Sequence, residues 1–342
     1  MKLKFLLAAL FFIRCLSGTA AEEMFSYNDL IKHLMDGKEI RISGAASNRL
    51  SVSGKAKELE SDNLLKLLED TVGQFEDMLK RDANIQVTVI GIVSQLDVDF
   101  LDRDHPLVTK IFQMYCKLLN SDDSSVVQAA FNAIVRRRTY ENNLERHFDQ
   151  KTAEIVAHFV EKNPEFGDSE KRNPGGHKNA ISILGMSGHP KAGLPVLKSL
   201  EGKVPGFELS RQAALARLGD KEVLQSLIEK YENERVLLKK GYIAIVLGQT
   251  NAEAGLRVLS RDLRLDVEIQ EHGGFGLNQM ILAGMCRANT FPVKHAKIWG
   301  LGSYKQDDFD AAEAWAQKEF SAKWDMPKPP VRRIVPVKFK AH

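Results

Sequence analysis

Apolar residues recur at helical spacing along most of the chain, and the clearest example is the segment from Phe207 to Tyr231. Its first half has an apolar stripe at positions 209, 213, 215, 216 and 218, and its second half has one at 223, 224, 227, 228 and 231. Gly219-Asp220 lies between the stripes and is predicted to end the first helix. The pattern predicts an antiparallel helix hairpin with one shared apolar side.

Similar helix pairs are predicted on both sides of this hairpin. The paired segments are 121–137 with 151–162, 175–188 with 189–202, 234–250 with 251–263, and 273–288 with 291–302. Hydrophobic-glycine pairs are predicted to end the first helices, roughly 29 to 36 residues apart, at Leu184-Gly185, Leu218-Gly219, Leu247-Gly248 and Ala283-Gly284. Two helices in each period are typical of an α-solenoid, so residues 61–302 are predicted to form an all-α solenoid.

Three more helices are predicted upstream, at 62–80, 84–96 and 106–119. Ser61 is a candidate N-cap for the first of them, and Pro106 stands at the first turn of the third, where proline is favourable. The middle segment is rich in Ile and Val, as strands are. Its length and its neighbours favour a buried helix, and the chain from Ser61 onward is predicted to be helical throughout.

Both ends of the chain depart from the helix-pair pattern. Residues 22–60 predict a small N-terminal cap, with a short helix at 25–35 and a β-hairpin whose apolar residues alternate around a turn. This hairpin either covers the first helix layer or offers an edge strand to a partner peptide. Residues 303–326 predict a capping helix rich in aromatic residues. The basic, proline-rich tail at 327–342 is either a disordered end or a strap that meets an anionic surface.

The repeated segments resemble a known family. The sequences SDDSSVVQAA and SRQAALARLGD, within short helix pairs, look like HEAT repeats of the short phycobilisome-lyase type, and the resemblance covers residues 84–302. It implies a right-handed superhelix with a concave binding face. It implies no reaction, because most such proteins are scaffolds and the lyases are a minority. The chain departs from the family in its long loop at 163–178 and in the lack of the usual second-helix proline from several repeats.

The first 21 residues predict a secretory signal peptide. Lys2 and Lys4 precede an apolar run at 5–13, and small residues follow at 18–21. An uncleaved membrane anchor is the alternative, although the run is about half the length of a membrane-spanning helix. The short signal and the acidic start of the mature chain are typical of a bacterial exported protein. We therefore expect a periplasmic or extracellular location.

Removal of the signal peptide changes the charge of the protein. The formal net charge of +3 equals the contribution of Lys2, Lys4 and Arg14. The mature chain is therefore near neutral and lacks the positive field of a non-specific nucleic-acid-binding protein, so no nucleic-acid partner is expected. Cys116 and Cys286 lie several repeats apart, too far for a disulfide, and they are predicted to be buried free thiols.

None of the candidate chemical motifs has the spacing of a known catalytic, metal or cofactor site. The acidic segment 97–105 lacks the glycine and glutamate of an EF-hand loop, so it predicts a solvated turn between helices with capping aspartates. The glycine-rich segment 271–279 lacks the lysine of a P-loop. The histidines do not have zinc-ligand spacing. The basic run 136–138 is predicted to interact with a helix dipole. We expect no metal, no cofactor and no catalytic residue.

Two functions from different classes remain open. The first is a non-enzymatic scaffold that binds a protein or peptide in a groove formed by the second helices, with surface positions at Lys198, Glu229, Tyr231, Arg257, Arg261 and Lys297. The second is a lyase-like enzyme or small-ligand carrier with a pocket in the C-terminal repeat, formed by Glu271, His272, Trp299 and Tyr304. Tethering to the cell envelope through the basic, proline-rich C-terminal tail would instead make the chain an envelope-associated structural protein.

Overall fold

The structure, a computed structural model, describes residues 61–101, 104–140, 143–164, 166, 179–269, 275–293, 304–325 and 327–328. This part of the chain is mostly helical, which confirms the predicted all-α class. The predicted signal peptide (1–21) and N-terminal cap (22–60) lie outside the described residues. Most of the loop 163–178 and all of the tail after Lys328 also lie outside them.

The α-helices of the described residues follow one another with short connections. They are α1 (Ser61–Gly73), α2 (Phe75–Met78), α3 (Ala83–Phe100), α4 (Pro106–Leu118), α5 (Ser124–Tyr140), α6 (Gln150–Lys162), α7 (Asn179–Gly185), α8 (Pro190–Ser199), α9 (Glu208–Arg217), α10 (Lys221–Asn233), α11 (Leu237–Gln249), α12 (Glu253–Arg261), α13 (Leu277–Met285) and α14 (Gln306–Phe320). Single 3-10 turns occur at Leu144–His147 and Pro205–Phe207.

The predicted helices are present with small shifts in their bounds. The Ile- and Val-rich segment forms α3, which confirms that it is a helix, and the predicted helix 62–80 is interrupted at Gln74. The prediction of helix throughout is wrong at one place. Strands β1 (Glu268–Ile269) and β2 (Phe275–Gly276) form a short antiparallel pair before α13. In the last predicted pair, residues 291–293 are not helical, and 294–302 lie outside the described residues.

The helices pack in an order that follows their position within each pair. We call α5, α7, α9, α11 and α13 the first helices, and α6, α8, α10 and α12 the second helices. The first helix α9 contacts both α7 and α11, and α11 packs extensively on α13. Among the second helices, α6 contacts α8 and α10 contacts α12. From α7 to α13 each first helix therefore lies beside the next first helix, and two of the second-helix neighbours lie beside each other.

Helix α9 joins the two hydrophobic clusters of the described core. Its residues Ala214 and Leu215 belong to the cluster that extends back to α1, whereas Ala213 and Ala216 belong to the cluster that extends to α14. Gly219 has φ +99 and ends the helix, and the Asp220 side chain accepts a hydrogen bond from the Val223 amide at the start of α10. The helix hairpin predicted at 207–231 is confirmed.

Replacing Leu215 by alanine is expected to lower the free energy of unfolding by about 2–5 kcal/mol. The side chain is 1% exposed, so its loss leaves a cavity between helix pairs. A denaturant titration of wild type and variant measures the effect. The exposed Gln225 on α10 provides the control, since Gln225→Ala is expected to change stability by less than about 0.5 kcal/mol. Similar small losses in both variants would contradict the assigned packing.

The predicted glycine stops mark the helix ends to within a residue or two. Gly219 follows the end of α9, Gly185 is the last residue of α7, and Gly248 and Gly284 are the second-to-last residues of α11 and α13. A Cβ atom added at Gly248 would collide with the Gly284 carbonyl, and one added at Gly284 would collide with the Ala244 carbonyl. These two glycines therefore also allow two helix backbones to touch, a role that the sequence pattern did not predict.

The acidic segment 97–105 and the basic run 136–138 also differ from expectation. Asp97 lies inside α3 and is buried, and its carboxylate forms an ion pair with Arg137 of α5 at 3.3 Å. Asp97 is therefore not part of a solvated turn, and Arg137 is not a surface residue at a helix end. His105 has the capping role predicted for its acidic neighbours, because its Nδ1 accepts a hydrogen bond from the Leu107 amide at 3.2 Å.

The aromatic C-terminal segment closes the last described helix pair. Helix α14 packs on α12, and its Glu313 forms a two-bond ion pair with Arg264 at 2.9 and 3.0 Å. Trp324 lies beyond the end of the helix and donates a hydrogen bond from Nε1 to the Ser260 carbonyl at 3.0 Å. Lys328, at the start of the tail, contacts Asp310 and Glu313.

Both cysteines of the described residues are buried free thiols, as predicted. Burial raises the pKa of the Cys286 thiol to about 12, and it also raises the pKa of the Cys116 thiol. Neither thiol is therefore ionised near neutral pH. Among the described helices, none has the length and apolar character needed to cross a membrane.

Candidate functional site

Three arginines lie at the C-terminal ends of first helices. Arg138 is in the last turn of α5, Arg217 is the last residue of α9, and Arg287 follows the end of α13. Although they belong to three different helix pairs, their side chains line one small cavity. The C-terminal ends of the first helices therefore converge, and α5 comes close to α13.

The cavity lined by Arg138, Arg217 and Arg287, here called the arginine cavity, is built entirely from first-helix segments. It has a volume of about 20 Å3, slightly more than one water molecule requires. Its other lining residues are small, neutral or apolar, namely Ser182, Met186, Ser210, Ala213, Ala214 and Gln249. No Asp or Glu is found among the described residues that line it.

Hydrogen bonds hold the central arginine in place. The Arg217 guanidinium donates from Nη1 to the Gln249 carbonyl at 3.0 Å and from Nη2 to the Asn289 side-chain oxygen at 2.9 Å. Asn289 is itself fixed, because its backbone N–H donates a hydrogen bond to Oδ1 of Asn251 at 2.8 Å. Its side-chain nitrogen reaches the Asn143 side-chain oxygen at 3.3 Å, which links the segment after α13 to the segment after α5.

Burial lowers the pKa values of these arginines, and repulsion by the other two adds to the effect at Arg138. The pKa of Arg138 falls to about 9, first because of burial and then because of the charges of Arg287 and Arg217. Burial lowers the pKa of Arg217 to about 10, against a smaller opposing effect of the Glu145 carboxylate. Burial also lowers the pKa of Arg287. Guanidinium groups with pKa values of about 9 and 10 are protonated near neutral pH, so Arg138 and Arg217 carry positive charge in the cavity.

The binding positions predicted on the second helices are not part of the arginine cavity, and the structure shows the exposure and the partners of each described one. Lys198 and Glu229 are exposed, as expected; Lys198 pairs with Asp220 at 3.1 Å, and Glu229 accepts a hydrogen bond from Gln225. The prediction for Tyr231 is wrong, because its side chain is 0% exposed and packs in the core. Burial and the Asp262 carboxylate raise the pKa of this phenol.

The two predicted arginines of α12 are exposed but engaged within the protein. Arg257 pairs with Glu253 at 2.6 Å and stacks over the Phe320 ring. Arg261 contacts Glu232 at 2.9 Å and Asp262 at 2.7 Å. Lys297, the last predicted position of this group, lies outside the described residues.

Only one residue of the predicted C-terminal pocket is described. Tyr304 is buried, and its interaction with Arg287 affects the pKa of that arginine. Glu271, His272 and Trp299 lie outside the described residues, so their convergence with Tyr304 stays a prediction. Within the described ranges, no three His, Cys, Asp or Glu side chains are grouped so that they could hold a metal ion.

Sequence reasoning missed the arginine cavity. Arg138 was considered only as part of a helix-end basic run, and Arg217 and Arg287 were not singled out. A signal was present, because each arginine occurs near the end of a first-helix stripe, in IVRRR, LARLGD and GMCRAN. When the helix pairs are aligned by the ends of their first helices, three of the pairs have an arginine at nearly the same position.

Comparisons with models of known protein families, with curated proteins and with solved structures found no match to this chain.

Proposed function

We propose that this chain is a non-enzymatic interaction module of the cell envelope that binds a protein or peptide partner. Its scaffold would be a HEAT-like α-solenoid of the short phycobilisome-lyase type. Two observations support the scaffold: helix pairs repeat along the chain, and the first helices from α7 to α13 each lie beside the next one. The same packing order is typical of solenoids whose inner helices form a binding face.

The arginine cavity is the observation that carries this proposal. Arginine is enriched in protein interfaces, where its flat guanidinium binds carboxylates with two hydrogen bonds. Three arginines from separate helix pairs meet at one point of the first-helix layer. A positive cavity of this kind favours a partner with acidic groups.

An exposed aromatic residue extends the proposed binding face. Tyr242 of α11 is exposed, and it lies seven positions before Gln249 of the cavity lining, which places both on the same side of the helix. Tyrosine and arginine are the residues that most often dominate binding energy in protein interfaces. The proposed face therefore lies on the first helices, and the second-helix positions are replaced as the main contact surface.

We also propose that the protein is exported to the periplasm or the cell exterior. This location rests on the charge and apolar pattern of residues 1–21. The basic tail 327–342 would add contact with anionic groups of the envelope. The described start of that tail is anchored to α14, since Lys328 contacts Asp310 and Glu313.

A small-ligand carrier of the lyase-like kind is the second candidate. The arginine cavity is small, and Tyr304 of the predicted C-terminal pocket influences the pKa of Arg287, one of the cavity residues. A compact anionic ligand in this region would therefore be able to contact both charged and aromatic side chains. The experiment below separates the two candidates, because a small ligand yields no protein adduct.

Site-specific photo-crosslinking in cells that export the full chain tests the interaction module. Benzoyl-phenylalanine at Tyr242 is expected to give a discrete protein adduct, identified by mass spectrometry. The same crosslinker at the exposed Gln225 of α10 is the matched control and is expected to give none. Absence of an adduct at Tyr242, or the same adducts at both positions, would contradict binding at the first-helix face.

A further inference from the structure

We infer that the arginine cavity binds an oxyanion, a carboxylate or phosphate group, held between Arg138, Arg217 and Arg287. The inference rests on the proposed function only in naming an acidic partner peptide as one source of the anion. A free small anion is the other source. The site itself is argued from the geometry and charge of the described residues.

The arrangement of the donors is suited to an oxyanion. A guanidinium group presents several N–H donors in a rigid plane, which matches the paired oxygens of a carboxylate or the three oxygens of a phosphate. The hydrogen bonds from Arg217 to the Gln249 carbonyl and to Asn289 hold that side chain in place before any ligand arrives. Ser182 and Ser210 add hydroxyl groups to the lining.

One donor in this cluster lacks a partner. Arg287 Nε is buried and makes no hydrogen bond within the described part of the protein. A buried donor without an acceptor costs free energy, more so when the group is charged. An anion in the cavity would supply the missing acceptor.

The charge balance points in the same direction. The described lining brings three guanidinium groups together, and Glu145, which raises the pKa of Arg217, is exposed and is not one of the described lining residues. Like charges brought together in a partly buried place repel one another, and the charges of Arg287 and Arg217 add to the larger effect of burial in lowering the pKa of Arg138 to about 9. A bound anion would turn this repulsion into attraction.

The size of the cavity limits how much of a ligand can enter it. A volume of about 20 Å3 has room for little more than one water molecule. One oxygen atom of a carboxylate or phosphate would enter, and the rest of the ligand would remain on the first-helix face. This geometry suits the end of an acidic side chain as well as a free ion.

Thermal unfolding of the full mature chain in sodium phosphate and in sodium chloride, at equal ionic strength, tests the site. A ligand that binds the folded state raises the unfolding midpoint in proportion to its affinity. Phosphate is expected to raise the midpoint of wild type more than that of Arg287→Gln or Arg138→Gln, with affinity lower by about tenfold or more in each variant. General salt effects are shared by all the proteins.

Arg257→Gln is the matched control. Arg257 is an exposed arginine paired with Glu253 and is not one of the described lining residues of the cavity, so its replacement is expected to leave the response to phosphate unchanged. Two cavity variants are used because either could unfold for structural reasons. An equal rise of the unfolding midpoint in phosphate for wild type and both cavity variants would overturn the inference. A loss of the phosphate response in Arg257→Gln as large as in the cavity variants would also overturn it.

A second arm identifies the source of the anion. An acetylated and amidated hexaglutamate peptide is compared with hexaglutamine by calorimetric titration. Tighter binding of hexaglutamate than of phosphate, lost in Arg287→Gln, supports an acidic peptide, and a response to phosphate alone supports a free anion. If phosphate stabilises the protein but Tyr242 gives no crosslink, the interaction module is contradicted and the anion site is supported. If Tyr242 gives a crosslink but neither phosphate nor hexaglutamate binds, only the anion site is contradicted.

Discussion

Replacing Asp97 by alanine is expected to lower the free energy of unfolding by about 3–5 kcal/mol. The change removes the carboxylate that lies 3.3 Å from Arg137 and leaves a guanidinium buried between α3 and α5. Both side chains are only 2–3% exposed, so water cannot replace the lost partner. Chemical denaturation followed by circular dichroism measures the loss.

A double variant that removes both charges provides the control for the ion pair. The variant Asp97→Leu/Arg137→Met replaces both charges by apolar side chains of similar size, and such replacements are often neutral or stabilising. The double variant is therefore expected to be more stable than Asp97→Ala. A double variant that is as unstable as the single one would show that packing at this position matters more than charge pairing.

Replacing Gly248 by alanine is expected to destabilise the protein by about 1–3 kcal/mol or more. Alanine is normally the better helix former, by about 1 kcal/mol. At this position, however, the added methyl group would meet the Gly284 carbonyl of α13, which is backbone and cannot rotate away. The two helices would have to separate, and the contact between α11 and α13 would loosen.

Gly91 offers a matched test of this interpretation. It also lies inside a helix, α3, but it is exposed and has no atom within 4 Å of an added Cβ. Gly91→Ala is therefore expected to stabilise the protein by up to about 1 kcal/mol. Denaturant titrations of both variants should give shifts of opposite sign. Shifts of the same sign would mean that the close contact of α11 and α13 is not present in solution.

Hydrophobic periodicity by itself determined the class and most of the elements of this protein. The Ile- and Val-rich segment at 84–96 shows how far this reasoning extends, because its composition resembles a strand and it is part of helix α3. The helix hairpin at 207–231 is likewise present as predicted. Periodicity works here because a helix must place its apolar residues on one side in order to bury them.

The role of single residues depended on the tertiary structure. Gly219 and Gly248 both follow a leucine near the end of an apolar stripe, yet the first ends a helix and the second allows two backbones to touch. Arg137 lies in a basic run that a sequence would normally place in solvent, and it is buried; Tyr231, predicted both in an apolar stripe and as a surface position, is buried as well. One-dimensional spacing shows which side of a helix is apolar, and it does not show which helix covers that side.

The arginine cavity exists only because of the tertiary packing of the helix pairs. Arg138, Arg217 and Arg287 belong to separate helix pairs, and the contact between Asn143 and Asn289 shows how closely the distant ends approach each other. The sequence determined that each arginine stands at the end of a first helix. Only the angle at which successive pairs pack brings those ends together, because that angle is set by side-chain contacts between helices and has no signature in the repeat itself.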